Sequence, residues 1–121
     1  MVLVRVLTTV HSGWSSDELV SNGDVPMAMT PEGKVKKKVV EQLKGLGCYY
    51  FFPATGGYGK SGVPDIVGCY KGKFFGIECK AGKNKPTPLQ ELNLKQINAA
   101  YGLAYVVNET NMNDIGQLLR S

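Results

Sequence analysis

Three residues in the middle of the chain, Asp65, Glu78 and Lys80, are of the types that hold a hard cation beside a phosphate. Their spacing can be tested by arithmetic. The apolar runs on either side of Lys71-Gly72 predict a β-hairpin with those two residues as its turn. Tyr70 then pairs with Lys73, so that paired residue numbers sum to 143, and Asp65 falls opposite Glu78. Side chains alternate along a strand, which puts Asp65, Glu78 and Lys80 on one face. Directly opposite residues hold their Cβ atoms about 4.5–5.5 Å apart, and two carboxylates at that distance repel unless a cation joins them. Both strands are otherwise apolar, and carboxylates placed among such residues need a metal, a proton or a lysine partner. Oxygen ligands without imidazole or thiolate select Mg²⁺ or Mn²⁺. Lys80 beside such an ion can orient water and stabilise charge developing on phosphate oxygens. The plainer reading is a charge pair at a sheet edge, with Lys80 answering Glu78.

The charge distribution favours a polyanionic partner. Between Lys34 and Lys85 stand eleven lysines against three acidic residues, a local balance of +8 within a chain of net charge +4. Positive charge concentrated in one segment points to nucleic acid, although a solvated helix face would also carry lysines. A single histidine, His11, excludes chemistries built on two imidazoles. Three cysteines without CxxC spacing are expected to be reduced thiols, and hence the chain cytoplasmic. No apolar run reaches the ~18–20 residues of a membrane span, so no membrane partner is expected. The opening MVLVRVLTTV contains Arg5 and lacks a small-residue cleavage site, which argues against a signal peptide.

These residues need a frame to position them. Residues 1–10 read as a strand and 11–29 as a polar connecting arm, with a compact domain predicted over 30–121. Thr30-Pro31-Glu32 opens a helix that Gly45 and Gly47 stop. Strands follow at 48–53, 65–70 and 73–80, then a helix from Pro88 to about Tyr101 with Thr87 as N-cap. A strand at 103–107 and a final helix capped by Asn111 complete the chain. The order (β)-α-β-β-β-α-β-α is that of an α/β fold, a mixed β-sheet flanked by helices. The hairpin is antiparallel, and the strand after the long helix is expected to return parallel to its predecessor.

Two helical residues are expected to converge on the carboxylates. Glu32 shares a helical face with Val35, Val39 and Leu43, and Gln90 with Leu94, Ile97 and Tyr101. Each has a plain alternative: Glu32 favours a helix dipole, and Gln90 caps its own first turn. The segment 54–61 (ATGGYGKS) matches a relaxed phosphate-binding loop, with Ala54 in place of the first glycine. That motif needs a helix directly afterwards, and here Gly62-Val63-Pro64 and a β-rich run follow. A lysine-bearing lip that contacts a DNA backbone, with Tyr58 able to stack on a base, fits better, the bland reading being a flexible connection. Lys36, Lys37 and Lys38 on the first helix, and Lys60, Lys83 and Lys85 on loops, are the expected backbone contacts.

Pro64-Asp65, a twelve-residue gap and Glu78-Cys79-Lys80 together resemble the PD-(D/E)xK motif of restriction-endonuclease-like nucleases. More narrowly, TPEGKVKKKVVEQL, the glycine loop before GVPDIVG, GKFFGIECK and TPLQ resemble the VRR-NUC (viral-type replication–repair nuclease) module, over about Thr30 to Asn108. The resemblance implies a restriction-endonuclease-like fold. It also implies an Mg²⁺- or Mn²⁺-dependent DNA endonuclease, a homodimer acting on branched DNA such as four-way junctions. In that scheme Asp65, Glu78 and the Cys79 backbone carbonyl ligate the metal, Lys80 positions water, Glu32 supports metal or water, and Gln90 stabilises the site. A non-cleaving DNA-binding module of the same fold and a sequence-specific restriction-type nuclease are the alternatives.

Overall fold

The computed structural model describes residues 30–54 and 59–121. The strand expected at 1–10, the arm at 11–29 and Tyr58 lie outside them. Helix α1 (Pro31–Leu46) starts as its sequence dictates: Thr30 Oγ1 accepts the Gly33 N–H at 3.0 Å, proline occupies the first turn, and Gly47 ends the helix at φ 72°. Strands β1 (Tyr49–Phe51), β2 (Ile66–Tyr70) and β3 (Lys73–Cys79) follow. Helix α2 (Pro88–Ala99), strand β4 (Leu103–Val107) and helix α3 (Ile115–Arg120) complete the fold. The four strands pair in sequence order, β1-β2 and β2-β3 antiparallel and β3-β4 parallel. The expected mixed sheet with flanking helices is the one found.

The hairpin register is the one the turn demands. Tyr70 pairs with Lys73, Val67 with Gly76 and Ile66 with Ile77. Lys71 and Gly72 both take positive φ, 50° and 84°, which suits the twist of a two-residue hairpin. Strand β3 is buried on both faces from Phe75 to Cys79. Phe75, Ile77 and Cys79 join Val35, Val39 and Leu43 of α1 and Ile115 and Leu119 of α3 in the main core. Each large apolar side chain buried there contributes about 1.5–3 kcal/mol. The other face belongs to α2: a Cβ at Gly76 would meet Ile97 Cδ1 at 2.8 Å and Pro64 Cγ at 2.9 Å. Glu78, two residues beyond Gly76, shares that face.

Two sequence expectations give way at element ends. Helix α2 stops at Ala99, and Tyr101 sits at φ 70° and 88% exposed rather than continuing the inward stripe. Asn111 does not cap the last helix. Its side chain donates to the Val106 carbonyl and accepts from the Asn108 N–H, and α3 begins at Ile115. The first amide of α3 is satisfied from another helix: Gln42 Oε1 accepts the Ile115 N–H at 3.2 Å, while Gln42 Nε2 donates to the Met112 carbonyl. An orphan donor at a helix start needs an acceptor, and a glutamine seventy-three residues away supplies it.

Candidate active site

The open end of the hairpin brings the two acids together. Ile66 faces the main core, so Asp65 falls on the α2 side with Glu78. The Asp65 carboxylate also has a fixed anchor, since its Oδ2 accepts the Cys79 N–H at 2.9 Å. Asp65 therefore holds the backbone of the residue next to Glu78 while its charge faces Glu78 itself. Lys80 Nζ stands 3.5 Å from Glu78 Oε2, and Lys80 N–H donates to the Val107 carbonyl, fixing the strand end.

Glu78 is the unusual member. It is 1% exposed, and its Oε1 is buried without a hydrogen-bond partner. Burial pushes its carboxyl up from 4.5 to about 7, and the neighbouring Asp65 charge pushes the same way, against the pull of Lys80. An unpartnered buried carboxylate oxygen costs about 1–3 kcal/mol or more, so one lysine at 3.5 Å leaves the site short of positive charge. The Cys79 thiol faces the opposite side, in the core, where burial and then Asp65 and Glu78 push it up to about 12. It is a neutral packing group, and what Cys79 can offer a cation is its backbone carbonyl.

The helix-borne candidates fare differently. Glu32 is exposed, not inward-pointing, although it lies near enough to add to the upward push on Glu78 and Cys79. At the second residue of α1 it meets open solvent, because the inward stripe begins one turn later at Val35. Among the described residues no cluster of three or more Asp, Glu, His or Cys side chains is close enough to cage a metal. Glu32 thus does not complete a cage with Asp65 and Glu78. Gln90 takes its plain alternative: its Oε1 accepts the Thr87 N–H at 2.9 Å while Thr87 Oγ1 accepts the Gln90 N–H, a closed capping box.

No protein-family model matches the chain. Among solved structures, a VRR-NUC domain superposes with a TM-score of 0.56 at 24% identity, over 74% of this chain and 90% of that one. Acyrthosiphon pisum secondary endosymbiont phage 1 carries a protein named "Putative nuclease p44". It is 30% identical over 95 residues, which span 77% of this chain and 96% of that protein. The chain belongs to the VRR-NUC nuclease family.

In this VRR-NUC domain the lysines differ in exposure and in partners. Lys37 and Lys38 are exposed, whereas Lys36 lies over the Phe52 ring, 4.4 Å from its centroid. Lys83 and Lys85 are exposed directly after β3. Lys60 donates to Gln96 Oε1 at 3.0 Å, which ties the glycine loop to α2. After Lys60-Ser61 the chain turns and enters β2 without a helix, so the phosphate-loop reading is excluded. No helix among the described residues is long and apolar enough to cross a membrane.

One polar residue escaped the sequence reading. Asn93 is buried on α2, and its Nδ2 donates to the Leu89 carbonyl at 2.9 Å and the Ser61 carbonyl at 3.2 Å. A signal existed: Asn93 sits three residues after Gln90 and next to Leu94, on the side of the helix that must meet the sheet.

Proposed function

We propose that this VRR-NUC protein is an Mg²⁺- or Mn²⁺-dependent DNA endonuclease that hydrolyses phosphodiester bonds. The observation that carries the reading is Glu78, buried opposite Asp65 with one carboxylate oxygen unpartnered. The donor set fits a small hard cation: two carboxylates and a strand-end carbonyl, without imidazole or available thiolate. Asp65, Glu78 and the Cys79 carbonyl would hold it, with Glu32 near the rim rather than in the site. When bound, such an ion supplies Lewis acidity at the phosphate and lowers the pKa of water.

The chain's own residues do the rest. Lys80, tethered at the end of β3, is placed to orient the attacking water and to meet negative charge growing on the phosphate oxygens during in-line departure of a 3′-oxygen. Asp65 keeps Cys79 and Glu78 in register through the Cys79 amide. Exposed Lys37, Lys38, Lys83 and Lys85 are positioned for the DNA backbone, and Lys60 joins them if it exchanges Gln96 for a phosphate. The substrate we favour is branched DNA, such as a four-way junction, cut by a homodimer whose two-fold axis pairs two sites. Exposed Tyr49 and Phe51 supply apolar area for a subunit contact. Free thiols at Cys48, Cys69 and Cys79 suit a reducing cytoplasm.

The decisive assay is nicking of junction, flap, single-stranded and linear DNA with Mg²⁺, Mn²⁺ or EDTA. Cutting should need the divalent ion, favour the junction, and vanish in Lys80→Ala while DNA binding persists. Cutting by Lys80→Ala at the wild-type rate would sink the assignment, and binding without cutting by the wild type would leave a DNA-binding module.

A further inference from the structure

Among the described residues two polar side chains are buried, Glu78 at 1% and Asn93 at 5% exposed. The first is the candidate ion ligand. The second makes no hydrogen bond to either carboxylate, and an apolar side chain is the ordinary occupant of a buried helix position. A buried amide costs free energy unless its hydrogen bonds repay it, so the bonds Asn93 makes are the reason for its presence. One joins the Leu89 carbonyl one turn back, within the helix. The other crosses to the Ser61 carbonyl, four residues before Asp65.

The segment between those two residues meets α2 at Gly62 and again beside Pro64. Gly62 is at φ 77°, and a Cβ there would stand 2.6 Å from Leu89 Cγ and 2.9 Å from Asn93 Nδ2, so only glycine lets the backbone lie this close. Pro64 is buried, wedged with Ile97 over Gly76 of β3. Asp65 follows directly and reaches the Cys79 amide. The aspartate is therefore located from two sides, by the Cys79 N–H ahead of it and by the clamped stem behind it. Lys60–Gln96, one helical turn along α2, is an exposed second tie and is free to exchange with solvent.

We propose that Asn93 is a positioning residue: by holding Ser61 against α2 it sets where Asp65 stands relative to Glu78, without contacting ion or substrate. The role in ion binding rests on the proposed metal site; the geometric role does not. Hydrogen exchange therefore tests it in EDTA, because the Cys79 amide is bonded to the Asp65 carboxylate and reports whether that carboxylate is in place. In Asn93→Leu, which keeps the branched side-chain skeleton and removes the donor, the Cys79 amide should exchange at least ~10-fold faster while the Phe75 and Ile77 amides keep wild-type rates. Gly62→Ala, which pushes the stem off the same helix from the other side, should give the same local signature and serves if Asn93→Leu fails to fold. Calorimetric titration with Mn²⁺ should show affinity weakened about 10-fold in either variant, the range for loss of supporting contacts around a metal site.

A Cys79 amide unchanged in the folded variants, or all β3 amides accelerated alike, would overturn the proposal. The two readings fail separately. If Asp65→Ala binds Mn²⁺ as the wild type does, the metal site is wrong, and the exchange pattern still decides the role of Asn93.

Discussion

The two ends of the β2–β3 hairpin share one register and differ in everything that register delivers. At the turn, Lys71, Gly72 and Lys73 are exposed, and Lys71 lies 5.4 Å from the centre of the Tyr70 ring. Charge there stays in solvent, and Lys71 rests over an aromatic ring rather than against an acid. At the open end the same pairing brings Asp65 to Glu78 under a helix, where burial has pushed Glu78 to about 7 and one of its oxygens has no partner. A hairpin turn is thus a ruler: a two-residue turn with positive φ counts off the strands so that a charge conflict lands inside the protein, not on its surface.

The contrast can be broken from either end. The largest effect belongs to the open end: Glu78→Ala should lower the nicking rate about a thousandfold or more, the several kcal/mol a metal site supplies, while Lys73→Ala changes it less than twofold. Next comes stability. A carboxyl that holds its proton more tightly folded than unfolded makes folding take up a proton between about pH 4.5 and 7. Stability contributed by this group is full below 4.5, falls as pH climbs through that window, and stays low above 7. Glu78→Gln should therefore unfold at higher urea concentration than wild type at pH 8 in EDTA, by up to about 3 kcal/mol, with the gap closing by pH 4.5. Somewhat smaller is the response to ions: Mg²⁺ at a hundredfold excess over Kd should stabilise the wild type by about 2.7 kcal/mol in thermal melts and leave Glu78→Gln unmoved. At the turn, Lys71→Gly should alter stability by no more than about 0.5 kcal/mol, since relief at φ 50° is offset by the entropy of a freer unfolded chain.

How much was legible in the sequence follows from the range of the forces involved. The span of α1, the hairpin register and the element order are set by caps, turns and alternation, all local, and they could be read directly. The two Thr-Pro helix starts show where local reading ends. Thr30 and Thr87 cap in the same way, each accepting the N–H three residues on. At that third position α1 has Gly33, with no side chain to return the bond, and α2 has Gln90, whose oxygen closes the box. Gln90 and Glu32 looked alike as inward-pointing candidates, yet one is occupied by its own helix and the other stands in solvent. Asn93, Asn111 and Gln42 were opaque for a related reason. An amide side chain has donors and acceptors for almost any partner, and which partner it meets is settled by packing between distant segments.

The three thiols differ in a way that gives the experimenter a handle. Cys79 is buried and held up to about 12, and Cys48 is half-buried, raised by burial to about 11, and bonded to the Leu43 carbonyl. Cys69 alone is exposed, opposite Phe74 toward the turn end of the hairpin. Maleimide or iodoacetamide at neutral pH attacks thiolate, so a fluorophore should attach at Cys69, several residues along β2 from Asp65, and the native chain can be dye-labelled with its carboxylates untouched.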